Sequence, residues 1–224
     1  MSKPSDRFRN NLENGLVRAY TLLMNDQDFE IALVDAAFAL GAERGWASVS
    51  AAAAARYATL DLSRARSLFP CTGVILRKFG WQADAFALTN IAAEGNVRDR
   101  LFDSLLRRFD YLQLRRAGVL ALMRHLPFCP PLALALAEMN ITSMGWLLEG
   151  AGMDATGLSG ALKKRGLLAV WMYGVRAWSK DESPDLTATM AAVDTALAKA
   201  DGLMVRFWPK LQESGMTEAT KDVS

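Results

Sequence analysis

Residues 56–78 carry Arg56, Arg64, Arg66, Arg77 and Lys78 against one carboxylate, Asp61, a local charge of +4. Cations at that density suit a phosphate backbone, because each contact releases condensed counterions. Arg64 or Arg66 is also the kind of group that pairs with a guanine edge, and Ser63 adds a small hydroxyl beside them. The same residues equally describe an exposed basic helix surface with no nucleic-acid role. The whole chain has a net charge of +2 over 224 residues, so bulk electrostatics do not decide between the two.

A second set is apolar. Met139, Met144, Trp146, Leu147, Trp171, Met172, Tyr173 and Trp178 lie on almost uncharged stretches. Flexible thioethers and flat rings suit a pocket for an apolar ligand. At helical spacing they are equally a packed core. Gly145, Gly166 and Gly174 either allow close helix crossing or leave room beside a ligand. Phe207 and Trp208, with Arg206 and Lys210, form an aromatic-basic end. That end either dips into a membrane interface or closes on the bundle or a dimer partner.

Catalytic chemistry finds few supports. His125 is the only histidine and stands beside Arg124 near a proline. There is no Gly-rich phosphate loop after a strand, no metal-ligand spacing and no nucleophile elbow. Asp181, Glu182 and Asp185 cluster in a cap-rich hairpin, which solvated capping explains. No enzyme activity, cofactor or metal is expected. Cys71 and Cys129 lack ligand-spaced partners and read as buried small apolar residues in a reducing compartment.

These side chains must be positioned by helices. Ala and Leu dominate, Pro is scarce and β-branched runs are almost absent, so an all-α protein is expected. No apolar h-region opens the chain and no window approaches about 18 uninterrupted apolar residues, which makes the cytoplasm the default. The periodicity predicts helices over 11–24, 29–44 (ending at Gly45) and 51–58 (capped by Ser48 or Ser50). A turn at Thr59–Leu62 follows, with Ser63 capping a short helix 64–68 that stops at Phe69-Pro70. Further helices are predicted over 73–90, 97–114, 115–125, 132–150, 161–178 and from Ser183 or Asp185 to about 207. In the helix after Asn96, Leu101, Leu105 (or Leu106), Phe109 and Leu112 form the inner face, with Arg98, Arg100, Asp103, Arg107, Arg108 and Asp110 solvated. The nearly uncharged segment 132–150 is expected to be buried on most sides.

Two family resemblances rest on these residues. Ala52-Ala53, Ala58, Ser63, Leu68 and Phe69-Pro70 keep the apolar skeleton of a TetR-type helix-turn-helix. The turn reads YATLDL where that family has glycine. Anchored on Phe-Pro, the family's tyrosine falls on Arg66 and its lysine on Thr72. Residues 143–200 resemble the ubiquinone-biosynthesis accessory (Coq-nine) family. Trp146, Leu168-Ala169-Val170, Tyr173, Trp178, the acidic run Asp181–Asp185, and Thr189-Met190-Ala191 with Asp194 carry that likeness. Phe69-Pro70 and Ala83-Asp84 fit its bacterial members. The family's Thr-Trp-Ala-Phe-Leu-Asp stands here as Thr189–Asp194, TMAAVD.

Together they imply a TetR-like helical bundle. An N-terminal extension covers 1–26, a degenerate helix-turn-helix unit 27–79, a ligand-binding and dimerisation domain 80–212, and a tail 213–224. The leading expectation is a lipid-binding accessory homodimer that presents a quinone precursor to a partner hydroxylase, peripheral to the inner membrane face and without catalysis of its own. The alternative is a DNA-binding transcriptional regulator that responds to an apolar ligand. In the superfamily, the last two long helices, here about 161–178 and 185–207, build the dimer interface.

Overall fold

The computed structural model describes residues 24–89 and 95–202, and among these the regular structure is helical throughout. The helices are α1 (Asp26–Arg44), α2 (Ala51–Tyr57), α3 (Leu62–Leu68), α4 (Thr72–Leu88), α5 (Val97–Gln113), α6 (Arg116–His125), α7 (Pro130–Gly150), α8 (Gly157–Trp178) and α9 (residues 187–202). Short 3₁₀ turns occupy Trp46–Ser48 and Leu126–Phe128. The expected helix over 11–24 lies outside the described residues, as does the tail with Phe207 and Trp208. Among the described residues no helix is long and apolar enough to cross a membrane.

The described residues form two compact units, one from 24–85 with 110–139, the other from 86–89 and 95–109 with 140–202. In the first, α1 buries Phe29, Leu33, Val34, Ala37, Phe38 and Leu40 and packs against α2 and α6. An aromatic chain links its helices. Phe38 meets Trp46 edge-on at 4.9 Å and Phe79 at 4.2 Å, and Phe79 lies 5.5 Å from Tyr111. Helix starts are fixed by side-chain caps. Asn25 Oδ1 accepts from Asp28 N at 2.8 Å and Ser50 Oγ from Ala53 N at 3.1 Å. Each such cap contributes about 0.5–2 kcal/mol.

In the second unit Leu101, Leu105 and Phe109 of α5, Met144 and Leu147 of α7 and Leu167, Val170 and Trp171 of α8 are all buried. Phe109 stacks on Trp171 at 4.4 Å and lies 6.4 Å from Trp178. One expected surface residue is inside. Arg108 is 4% exposed, with its guanidinium 4.5 Å from the Trp171 ring and Nη2 donating to Ser143 Oγ at 3.2 Å. It follows Leu101 by seven residues and Leu105 by three, so helical spacing puts it on the inner face whatever its charge.

Two further expectations are corrected. The nearly uncharged α7 is buried only at Ser143, Met144, Leu147 and Leu148; its first half is largely open, with Leu134 73% exposed. Cys71 is exposed and Cys129 half-buried, neither being a core residue. Between α8 and α9, the buried Asp181 accepts from Ser183 N and Oγ through one oxygen. Its other oxygen accepts from Thr189 N and Oγ1, both at 2.7 Å. Ser183 Oγ in turn accepts from Thr187 N at 3.1 Å, capping α9 as expected.

Candidate functional site

The α2–turn–α3 segment is short, and its geometry explains how a turn without glycine closes. Leu60 N donates to Ala55 O at 2.8 Å and Thr59 N to Arg56 O at 3.3 Å, the two bonds of a Schellman ending. Thr59 occupies the left-handed position, φ +56°, that glycine ordinarily takes. The same pair of bonds ends α7, where Met153 N reaches Leu148 O and Gly152 N reaches Glu149 O. There the left-handed residue is Gly152, φ +84°. Leu60 then turns inward, 8% exposed, which leaves Asp61 as the next residue and the cap of α3. Asp61 Oδ1 accepts from Arg64 N at 2.7 Å. Ser63, the cap expected from sequence, is instead an exposed residue within the helix.

α3 buries Ala65 and turns Leu62, Ser63, Arg66 and Ser67 to solvent. The five cations divide accordingly. Arg64 points back to α1, where its Nε and Nη2 donate to Asp26 Oδ1 at 3.0 and 2.5 Å. Its guanidinium lies 4.7 Å from the Phe29 ring centre. Lys78 pairs with Glu30 of α1 at 2.5 Å, 5.5 Å from the Phe69 ring. Arg56 is exposed at the end of α2, and Arg77 is exposed 5.5 Å from the Trp81 ring. Arg66 is exposed too, with Nη1 donating to Pro70 O at 3.2 Å. Carboxylates 38 and 48 residues upstream thus compensate two of the five, and Arg56, Arg66 and Arg77 remain directed to solvent.

The eight apolar candidates do not share one face. Met144, Leu147, Trp171 and Trp178 belong to the packed core of the second unit, while Trp146, Met172 and Tyr173 are at least half exposed. Met139 is half-buried in the first unit, near Gly80. A groove of about 510 Å³ opens in the first unit between Asp35, Ala39 and Ala42 of α1 and residues 114–118; none of the eight lines it. His125 ends α6, half-buried. Among the described residues no group of three His, Cys, Asp or Glu is placed to hold a metal ion.

The chain is similar to the TetR transcriptional regulator from Nitrosomonas europaea ATCC 19718, with a TM-score of 0.63 and 19% identity over 78% of this chain and 98% of that one. The fold is TetR-like. A TetR-family transcriptional regulator from Streptomyces coelicolor also matches, with a TM-score of 0.52 and 16% identity over 87% of this chain and 100% of that one. No protein-family model and no curated protein matches the chain. Neither solved structure is described as a ubiquinone accessory protein, so that resemblance of residues 143–200 rests on sequence alone.

Proposed function

We propose that the chain is a TetR-like transcriptional regulator, a homodimer whose α2–α3 segments bind DNA in response to an apolar ligand. The observation that carries this reading is the solvent face of α3, where Arg66 stands with Ser63, flanked by the exposed Arg56 and Arg77 on a unit whose first three helices each start at a side-chain cap. The two TetR-like structures are consistent with it. A helix-turn-helix sets its second helix into the major groove and uses surrounding cations to grip phosphates. With Arg56 and Arg77 as phosphate contacts, a dimer makes about four, and the logarithm of affinity falls with the logarithm of salt at a slope of about −4. Fluorescence anisotropy with genomic DNA fragments between low and moderate salt tests this. Salt-independent or absent binding refutes it.

A lipid-accessory reading keeps one observation of its own. Asp26 and Glu30 neutralise Arg64 and Lys78, leaving the reader weakly basic, while Trp146, Met172 and Tyr173 offer apolar surface. In that reading a quinone precursor is the ligand, with a partner hydroxylase and a membrane surface as the other contacts. Organic extraction of the purified protein followed by mass spectrometry separates the two: stoichiometric isoprenoid favours the accessory reading.

A further inference from the structure

We infer that α3 reads DNA through Arg66 and Leu62, and that Arg64 is a positioning residue that holds α3 against α1 from behind. The inference rests on the regulator reading and assigns its base contacts. Sequence spacing treats Arg64 and Arg66 alike. The structure separates them. Arg64 has two nitrogens on one carboxylate oxygen of Asp26, its backbone N–H on Asp61 and its guanidinium over Phe29, and its side chain is 23% exposed. To reach a base it would have to leave all of these side-chain contacts and uncover Phe29, which is fully buried. Arg66 gives up one exposed bond to the Pro70 carbonyl, four residues along, to extend from the helix.

Leu62 lies one turn before Arg66 on the same face and is 45% exposed, with Ser63 and Ser67 between and beside them. An arginine in the major groove pairs with O6 and N7 of guanine, and an apolar side chain meets the thymine methyl. Four residues of helix rise about 6 Å, against about 3.4 Å per base step. The two contacts therefore fall within one or two base pairs of each other. Each half-site contains a guanine and, at that distance, a thymine, with Ser63 and Ser67 free to reach the neighbouring phosphate or base edge.

Selection of double-stranded DNA from a random library by the full chain, followed by titration of fixed duplexes, tests the assignment. The expected result is an enriched half-site with guanine and thymine in this spacing. Arg66→Ala then loses about 5- to 150-fold in discrimination at the guanine, and Leu62→Ala relaxes the thymine position. Arg64→Met and, from the other side of the pair, Asp26→Asn leave the base preference unchanged; Asp26→Asn retains Arg64 and serves if Arg64→Met does not fold. An enriched site whose guanine preference survives Arg66→Ala, or disappears with Asp26→Asn, overturns the inference and leaves the regulator reading standing. Failure of the unaltered chain to enrich any sequence or to bind duplex at low salt overturns both.

Discussion

A side-chain carbon on Gly118 would stand 2.8 Å from Cβ of Phe38 and closer still to its carbonyl oxygen. α6 therefore crosses α1 backbone against backbone, and only a residue without Cβ lets it do so. Gly118→Ala forces the helices apart and costs about 1–3 kcal/mol. For a chain of this length each kcal/mol lowers the thermal midpoint by roughly 2–4 °C. Gly73→Ala is the control, because its nearest neighbour would be Cys71 Sγ at 3.8 Å. Calorimetry that finds the two variants equally stable removes the close crossing as a determinant of the fold.

Thr59 holds a left-handed conformation that costs a β-branched residue about 1–3 kcal/mol. Its side chain is exposed, so nothing is lost by removing it. Thr59→Gly relieves the strain and loses part of the gain to the entropy of glycine, for a net stabilisation of roughly 0.5–1 kcal/mol. Gly152→Thr, at the equivalent position after α7, moves stability the other way. Urea unfolding of the two variants should show midpoints shifted in opposite directions.

The Ser183 hydroxyl, followed by the hydroxyl and N–H of Thr189, holds the Asp181 carboxyl well below the usual carboxylate range. A carboxyl depressed in the folded state stabilises fully above its unfolded value near pH 4 and loses that contribution as pH falls below it. Asp181→Asn should cost about 1–3 kcal/mol at neutral pH. The gap from the unaltered protein should close as pH drops from about 4.5 toward 2. Asp154 and Asp185 are depressed by the hydroxyls of Thr156 and Thr187, so only the difference between the two proteins isolates Asp181. Parallel stability curves across that range would assign the acid response elsewhere.

Leu158, Leu162 and Met172 are exposed on α8 at helical spacing, with Ala169 also open between them. A homodimer through α8 and α9 would bury this stripe, and a stable interface of that kind needs about 1,000 Å² or more. Leu162→Asp places an unpaired charge at its centre. Sedimentation should show the unaltered chain as a dimer and the variant as a monomer with unchanged helicity; a variant that remains dimeric moves the interface off this face.

Local signals are legible in the sequence. Ser50 acts as a cap, Phe69-Pro70 ends α3, and Leu101, Leu105, Phe109 and Leu112 face inward, because each follows from chemistry within one or two turns. Arg108 departs from the solvated position its charge suggests because its place in the same helical period puts it inside. Thr59 was unreadable as a left-handed residue because glycine is the usual marker, and the shift of the cap from Ser63 to Asp61 follows from that turn. The pairing of Arg64 with Asp26 and of Lys78 with Glu30 joins residues distant in sequence, which no local pattern announces. Trp146 beside Leu147, and Met172 and Tyr173 beside Trp171, cannot share a face, since neighbours on a helix point about 100° apart. The absence of charge on α7 spoke of apolar surface but not of what would cover it.

Cys71 stands exposed where α3 has ended and α4 begins, with Pro70 before it, while Cys129 is half-buried. A maleimide dye should couple first to the former thiol and so ride at the end of the α2–α3 segment. The native chain thus carries its own attachment point for an optical reporter on that segment, with no cysteine to be engineered in.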